Sequence, residues 1–508
     1  MDSKSEIRES ASCESAQREL LKSTGIIGSS QLLIMALNVV KTKIFSYLLG
    51  AEGIGLIGLY TSLLDLVRSF SSLGIHISGV RYIAEKNKEG EEQGRDRMIG
   101  VFRRWTWFSA FLGAFICFFG ALPLSRYVFG SESHAVGIRV LSIALFLTAL
   151  SGGQTAILQA LRQVTSLALT NLCAAFASFG ISVALAWYFG MEGIVPILLS
   201  FSVLLFCSGW YFVRQAYRES SEVRFTLREV LTEGIPMVRL GFLTILTGIA
   251  TTGSVFIVKG FISHESDLVT VGVFQAAWGI SNLYLGMILN AMGTDLYPRL
   301  SEVNRDPEKL SAVVDSQLTL GILIVTPLLM LLMAFAPVAI PLLYSGEFTA
   351  GVSLLRWFML AFFLRSISWT MSYVLLSKAM SVTYITIEGL WYVLYFGVSF
   401  LLYDSYGIDA FGIGSFVAYG GYTVVLWGTM KRIGCIISSA TLRLAATFSL
   451  LISLAFLLNY FCSGGVAWLL NCTLTTATFL LTFHRLRSVI DLRGVFAKIK
   501  DKFRKRGS

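Results

Sequence analysis

Apolar runs, each near the roughly 20 residues that a helix needs to cross the hydrocarbon core of a bilayer, recur with short polar connections from residue 24 to residue 483. The pattern predicts fourteen membrane helices at 24–49, 55–80, 105–128, 136–158, 166–189, 193–213, 234–259, 270–293, 316–344, 351–377, 381–403, 409–430, 442–461 and 464–483. The largest connections are 82–104, 214–233 and 294–315, too short for a separate catalytic domain. Ile57-Gly58-Leu59-Tyr60 and Val271-Gly272-Val273-Phe274 match at an offset of 214, with an even number of spans between them. Such a match predicts a parallel duplication of six helices.

The expected organisation is a tail at 1–23, an N-lobe at 24–213, a linker at 214–233, a C-lobe at 234–430, an extra helix pair at 431–484 and a basic tail at 485–508. Two lobes of this kind are expected to face each other across a central cavity. In the last tail Val489, Leu492, Phe496, Ile499 and Phe503 recur at helical spacing among Lys and Arg. That pattern reads as an interfacial helix on anionic lipid.

Composition narrows the class. Of 508 residues 55% are hydrophobic and 14% charged, where soluble domains carry roughly 25% charged residues; the chain is an all-α polytopic membrane protein. Taken on alternate sides, the connections, with Arg443 at the start of 442–461, place 32 of 41 Lys and Arg on one face of the membrane, together with both termini. The positive-inside rule makes that face cytoplasmic. The opposite connections carry acids instead, among them Glu52, Glu132, Glu192, Glu265 and Asp404. Seven cysteines without a CxxC pair give no disulfide framework or metal site. No GxxxxGK[ST] phosphate loop occurs, which removes a built-in ATP motor. The polar first 23 residues do not read as a cleavable signal peptide.

Besides Arg443 at the start of 442–461, nine basic residues fall in or at the ends of spans: Lys41, Lys43, Arg68, Arg126, Arg139, Arg239, Lys259, Arg356 and Arg365. Each costs about 2.5 to 3.5 kcal/mol at the bilayer centre on insertion scales. Arg126, Lys259, Arg356, Arg139 and Arg239 are near enough to an end to snorkel. Arg68 and Arg365 are too deep, and Lys41 is at the border. Residues three, four and seven apart share a helix face. That spacing aligns Gln31, Asn38 and Lys41; Asp65, Arg68, Ser72 and His76; Arg239, Thr247, Thr251 and Ser254; and Gln275, Asn282 and Asn290.

Two readings of these stripes stay open. Asp65 with Arg68 fits a local ion pair that fixes packing, His76 fits a hydrogen-bonded packing residue, Glu388 a buried salt bridge, and the hydroxyls and amides interhelical glue. The same Asp65, Glu388 and His76 fit coupling or gating. A net positive charge at depth favours an anionic cargo.

The run Leu48-Leu49-Gly50-Ala51-Glu52-Gly53-Ile54-Gly55-Leu56-Ile57-Gly58-Leu59-Tyr60, then Val80-Arg81-Tyr82-Ile83-Ala84-Glu85 and Met292-Gly293-Thr294-Asp295-Leu296-Tyr297-Pro298-Arg299-Leu300, resembles the O-antigen flippase branch of the polysaccharide transport family. That family belongs to the multidrug/oligosaccharidyl-lipid/polysaccharide exporter superfamily. The resemblance implies two six-helix lobes, often followed by two further helices. It implies a bacterial inner-membrane protein that moves undecaprenyl-pyrophosphate-linked oligosaccharide to the periplasmic leaflet by alternating access. It also implies a cationic cavity, to which Lys41, Arg68, Arg239 and Arg365 correspond by placement, with Gln31, Asn38, Thr251, Gln275 and Asn282 as polar lining. No cofactor is implied beyond H⁺ or Na⁺ coupling. The implied partners are the lipid-linked glycan, membrane lipid, and polymerase and chain-length proteins of the same pathway, with no nucleic acid. The rival readings are a cation-coupled multidrug exporter of the same superfamily and an integral-membrane glycan polymerase.

Overall fold

The computed structural model describes residues 3–88, 91–217, 226–461 and 465–489. The interfacial helix expected beyond Val489 and part of the linker expected at 214–233 lie outside them. The described residues form helices α1 (Ser3–Leu48), α2 (Gly50–Ser71), α3 (Ile75–Lys88), α4 (Glu92–Phe119), α5 (Ala121–Phe129), α6 (Ala135–Ala160), α7 (Val164–Phe189) and α8 (Ile194–Ala216), continuing as α9 (Leu227–Glu265), α10 (Leu268–Val303), α11 (Pro307–Leu343), α12 (Gly351–Ser377), α13 (Ser381–Tyr406), α14 (Asp409–Arg432), α15 (Ser439–Phe461) and α16 (Gly465–Val489). No strand occurs among them. With no water in hydrocarbon to satisfy backbone groups, only helices or closed barrels can span.

Eleven of these segments are long and apolar enough to cross a membrane, or twelve if α4 and α5, bent by 60° at Gly120, count as one span. The count of fourteen is not reached by this measure. The 53-residue stretch Val164–Ala216, counted once, contains both α7 and α8. The last helix, α16, is not among the eleven; its Asn471, Thr473, Thr475, Thr476 and Thr478 dilute its apolar character.

The chain divides into two compact units, residues 1–272 with 343–345, and 273–342 with 346–508. In the first, α6 packs on α4 and α8, α7 on α8 and α1, and α9 on α2, α3, α4 and α5. Helix α9 begins with a capping box, in which the Glu229 carboxylate accepts the Thr226 backbone N–H at 2.8 Å while the Thr226 side chain accepts from the Glu229 N–H. Arg97 of α4 then pairs with Glu229 and Glu233 of α9 at 3.2 and 2.7 Å. In the second unit α14 packs on α12 and α13, and α15 on α12 and α16. Phe274, Trp278, Phe358, Phe362 and Phe411 form an edge-to-face aromatic core there, an arrangement favoured by the ring quadrupoles.

The backbone repeats at an offset of 217. The α6–α7 turn has Arg162 at φ +55°, and the α12–α13 turn has Ala379 at φ +54°. Gln163 N–H donates to Leu158 O and Met380 N–H to Leu375 O, both at 2.9 Å. Gly190 after α7 and Gly407 after α13 take φ +53° and +55°. Arg162 and Ala379, whose side chains share nothing, adopt the same left-handed conformation. The turn geometry, not the side chain, is therefore the repeated feature.

Without a hydrophobic force between helices in lipid, close backbone packing carries association. In the first unit α2 crosses the start of α10 at Gly55 and Gly272. A Cβ on Gly55 would collide with the Leu268 carbonyl oxygen, and one on Gly272 with that of Ala51. Gly272→Ala is expected to destabilise the protein by about 1–3 kcal/mol, the range for overpacking, read as a lowered midpoint of thermal unfolding in detergent. Gly286→Ala, where a Cβ meets no protein atom within 4 Å, should leave the midpoint unchanged; equal effects would refute the crossing.

Candidate functional site

The sequence pattern expects one continuous span at 55–80, but the structure breaks it. Helix α2 ends at Ser71, Leu73 and Gly74 take φ +49° and +64°, and α3 starts at Ile75. A left-handed leucine is strained, and Gly74 packs directly on the Gly241 backbone of α9. Freed backbone groups find local partners: Ser72 N–H donates to Arg68 O at 2.8 Å, and Ile75 N–H to Ser72 O at 3.1 Å. Helix α2 is by itself long and apolar enough to cross a membrane, so the break lies at the end of that span. Here the break borders a cavity of about 320 Å³ lined by Asp65, Arg68, Ser72, Gly74, His76 and Thr252, with Ser69, Ile77, Ile245 and Gly248.

This cavity unites the polar face Asp65, Arg68, Ser72 and His76. Gly152 of α6 lies close against two of these side chains, since a Cβ there would be 3.1 Å from Arg68 Nη2 and 3.3 Å from His76 Nε2. Both ring nitrogens of His76 are buried without a hydrogen-bond partner, and its ring meets Phe102 edge-on at 6.3 Å. Ser69 accepts a hydrogen bond from Thr252 Oγ1 at 3.2 Å. Thr251, expected to line a central cavity between the lobes, is exposed and donates to Thr247 O on its own helix.

Lys259 departs most from the sequence reading. Expected to snorkel from the end of its span, it is only 3% exposed and donates to the Gly58 carbonyl at 2.8 Å. Gly58 carries no side chain that would block the ammonium from the α2 backbone. Asp65 interacts electrostatically with Arg68 and with Lys259. Two cations around one acid leave one net positive charge in this cluster.

The remaining first-unit candidates lie elsewhere. Lys41 of α1 is half-buried over the Phe201 ring of α8 at 5.9 Å, while Gln31, Asn38 and Arg239 are exposed. Arg126 pairs with Glu132 near the end of α5, where snorkelling was expected. Lys43 donates to the Tyr344 carbonyl and sits over the Tyr47 ring at 4.6 Å.

In the second unit Arg365 of α12 donates from Nη1 to Asn282 Oδ1 of α10 at 3.0 Å and stands over the Phe362 ring at 4.9 Å. Glu388 of α13 accepts from Tyr422 of α14 at 2.6 Å, hydrogen-bonds Tyr384 on its own helix, and interacts electrostatically with Arg365. Tyr419 faces the same two charges. One cation and one acid therefore balance here. Gln275 is half-buried with its Oε1 unpartnered and belongs to neither cluster by any direct contact among the described residues. No group of three metal-ligating side chains occurs among the described residues.

The architecture matches solved membrane transporters. The lipid II flippase MurJ in an inward closed conformation superposes with a TM-score of 0.69 at 13% identity, over 91% of this chain and 99% of that one. An inward-facing multidrug resistance MATE family transporter of the MOP superfamily gives 0.65 at 18% identity, over 81% and 96%. A MOP superfamily transporter from Pyrococcus furiosus gives 0.53 at 16%, over 80% and 94%. The fold is thus that of the MOP-superfamily transporters. No curated protein matches the chain. A family model described as polysaccharide biosynthesis protein matches residues 44–353, and the chain belongs to that family.

Lys259 is buried and bonds the Gly58 carbonyl, while Asp65, itself exposed, acts on it electrostatically. Lys259→Met, which removes a charged hydrogen-bond donor, is expected to destabilise the protein by about 1.5–3 kcal/mol, read as a lowered midpoint of thermal unfolding, and adding Asp65→Asn to recover part of that loss. Purely additive midpoints would show that the two side chains are not coupled.

Proposed function

We propose that this protein is a flippase for polyprenyl-pyrophosphate-linked oligosaccharide, carrying the repeat unit of a surface polysaccharide across the inner membrane of a bacterium by alternating access. The observation that carries this reading is the net positive cluster of Asp65, Arg68 and Lys259 beside a cavity at a broken helix. Lys259 offsets much of the Asp65 charge and leaves the Arg68 guanidinium for the cargo. Its planar fork suits a pyrophosphate, donating two parallel hydrogen bonds while always charged.

A glycan needs such a route. Each hydroxyl taken into hydrocarbon unpartnered costs about 1–3 kcal/mol by protein-based measures, and the polar lining of Ser69, Ser72 and Thr252 replaces part of that hydration. Carrying negative charge outward from a negative interior gains about 2.3 kcal/mol per charge per 100 mV. Family membership supports a polysaccharide pathway, and the likeness to MurJ supports a fold able to flip a lipid-linked head.

A drug exporter with cationic cargo is disfavoured by charge, since the first cluster has surplus cation and Glu388 is offset by Arg365. A solved transporter of this fold, from Pyrococcus furiosus, is itself described as having a binding pocket of reverse polarity that suggests a different function.

Proteoliposomes holding the full chain and labelled polyprenyl-pyrophosphate glycan test the proposal. Arg68→Gln should slow flipping on the order of tenfold, the scale of one charge-assisted hydrogen bond. Arg68→Lys should recover part of the rate, because it keeps charge and loses the fork. Flipping unaltered by both Arg68→Gln and Arg365→Gln, with insertion verified, would overturn the cationic route.

A further inference from the structure

We propose that His76 is a second ligand for the head of the cargo: its imidazole binds one phosphate of a pyrophosphate while Arg68 holds the other, so the cavity selects a polyprenyl pyrophosphate over a polyprenyl monophosphate. The inference rests on the flippase reading and deepens it by naming the group of the head that is recognised.

Two side chains lining the cavity at the α2–α3 break hold polar capacity that the protein leaves unused. A guanidinium carries five N–H donors, and that of Arg68 makes no hydrogen bond among the described residues. Both ring nitrogens of His76 are buried without a partner. The hydroxyls beside them are engaged, Ser72 Oγ donating to Ser69 O at 3.1 Å and Thr252 Oγ1 to Gly248 O at 2.8 Å. Buried polar side chains nearly always have a partner, and an exception calls for a cause. A ligand that accepts from both groups supplies one.

The two groups adjoin one point on α6. A Cβ on Gly152 would lie within 3.1 Å of Arg68 Nη2 and 3.3 Å of His76 Nε2, so the two nitrogens are near enough to each other to serve neighbouring phosphates. A guanidinium takes one phosphate through two parallel hydrogen bonds, which leaves His76 to meet the next. Arg68 and His76 also interact electrostatically, and an anion between them would attract both. Asp65, the acid of this cavity, stands one turn before Arg68 on α2, away from the break, and interacts with Arg68 and Lys259. The second phosphate therefore falls on the Ser72 and His76 side. There α3 begins at Ile75, and His76 and Ile77 of its first turn line the cavity, which adds the positive end of a helix dipole.

The imidazole can turn toward a ligand at little cost. It has no hydrogen bond to break, and its ring meets Phe102 edge-on at 6.3 Å. With no partner fixing the tautomer, either nitrogen can carry the proton and present it to a phosphate oxygen.

The test uses the full chain in detergent, titrated with undecaprenyl pyrophosphate or undecaprenyl monophosphate, neither bearing a glycan, and read by native mass spectrometry. Wild type should retain the pyrophosphate on the order of tenfold better, the scale of one hydrogen bond to a charged group. His76→Phe, which keeps a ring beside Phe102 and removes both nitrogens, should bring the ratio of the two lipids near one. His76→Gln, which keeps an N–H donor, should restore part of it. A preference that survives His76→Phe would trace it to the charge of the head on Arg68 and overturn the proposal. So would an equal fall for both lipids in His76→Phe, the mark of a packing role. Inorganic pyrophosphate should displace the lipid only in large excess; displacement at equal concentration would show a site for the free ion and overturn the assignment to a lipid head. Equal retention of the two lipids by wild type, still lowered by Arg68→Gln, would overturn this inference alone, whereas retention of neither would overturn the flippase reading with it.

Discussion

Burying Lys259 under the α2 backbone ties together the packing of α9, the position of Asp65 and the charge left on Arg68. An ammonium in a bilayer must reach water or be neutralised, because an isolated charge at the centre costs several kcal/mol. Lys259 cannot reach water at 3% exposure, and it spends its hydrogen bond on the Gly58 carbonyl. Asp65 supplies the compensating charge. Lys259 is buried but Asp65 is exposed, and an interaction with an exposed charge is weak ground for stability as such. Its effect is electrostatic: it holds an acid beside Arg68 without letting that acid cancel the arginine.

Two different packing solutions hold the clusters in place. The first unit relies on absent side chains: Gly55 against the α10 start, Gly74 against Gly241, and Gly152 against Arg68 and His76. Backbones approach there closely enough for polar side chains to reach main-chain groups. The second unit relies on bulk, with stacked and edge-on rings from α10, α12 and α14 packed around Phe362, beside Arg365. Its one clustered acid is met by tyrosine hydroxyls, and a phenol gives an apolar ring with a hydrogen-bonding tip. That combination suits a carboxylate such as Glu388, which accepts from Tyr384 and Tyr422.

Hydropathy and helical spacing made the helices and the Asp65, Arg68, Ser72, His76 face legible, because both depend only on residue order. The break at Leu73 and Gly74 was not legible, since a leucine in left-handed conformation follows from the contact of Gly74 with Gly241 on another helix. Lys259 was misread because distance to a span's end measures access to water only if nothing covers the side chain. Tyr384, Tyr419 and Tyr422 were missed for a related reason: in a membrane sequence tyrosine counts as apolar or interfacial, and its hydroxyl shows its use only beside Glu388. Glycines at 55 and 58 were visible as part of a motif, but their partners at Gly272 and Lys259 are more than 200 residues away.

The offset of 217 shows what the two halves share and where they part. It pairs the turns at Arg162 and Ala379 and the caps at Gly190 and Gly407, features that the backbone demands whichever side chain is present. The same offset places Thr148 opposite Arg365 and Asn171 opposite Glu388, and both of those first-unit residues bond back to their own helix. It places Gly152, which makes room for Arg68 and His76, opposite Trp369, which fills space against Gly293. Charges at depth therefore do not follow from the repeated architecture; each cluster is an addition to it. Charged groups at membrane depth are costly, and the two units hold theirs separately and with different partners.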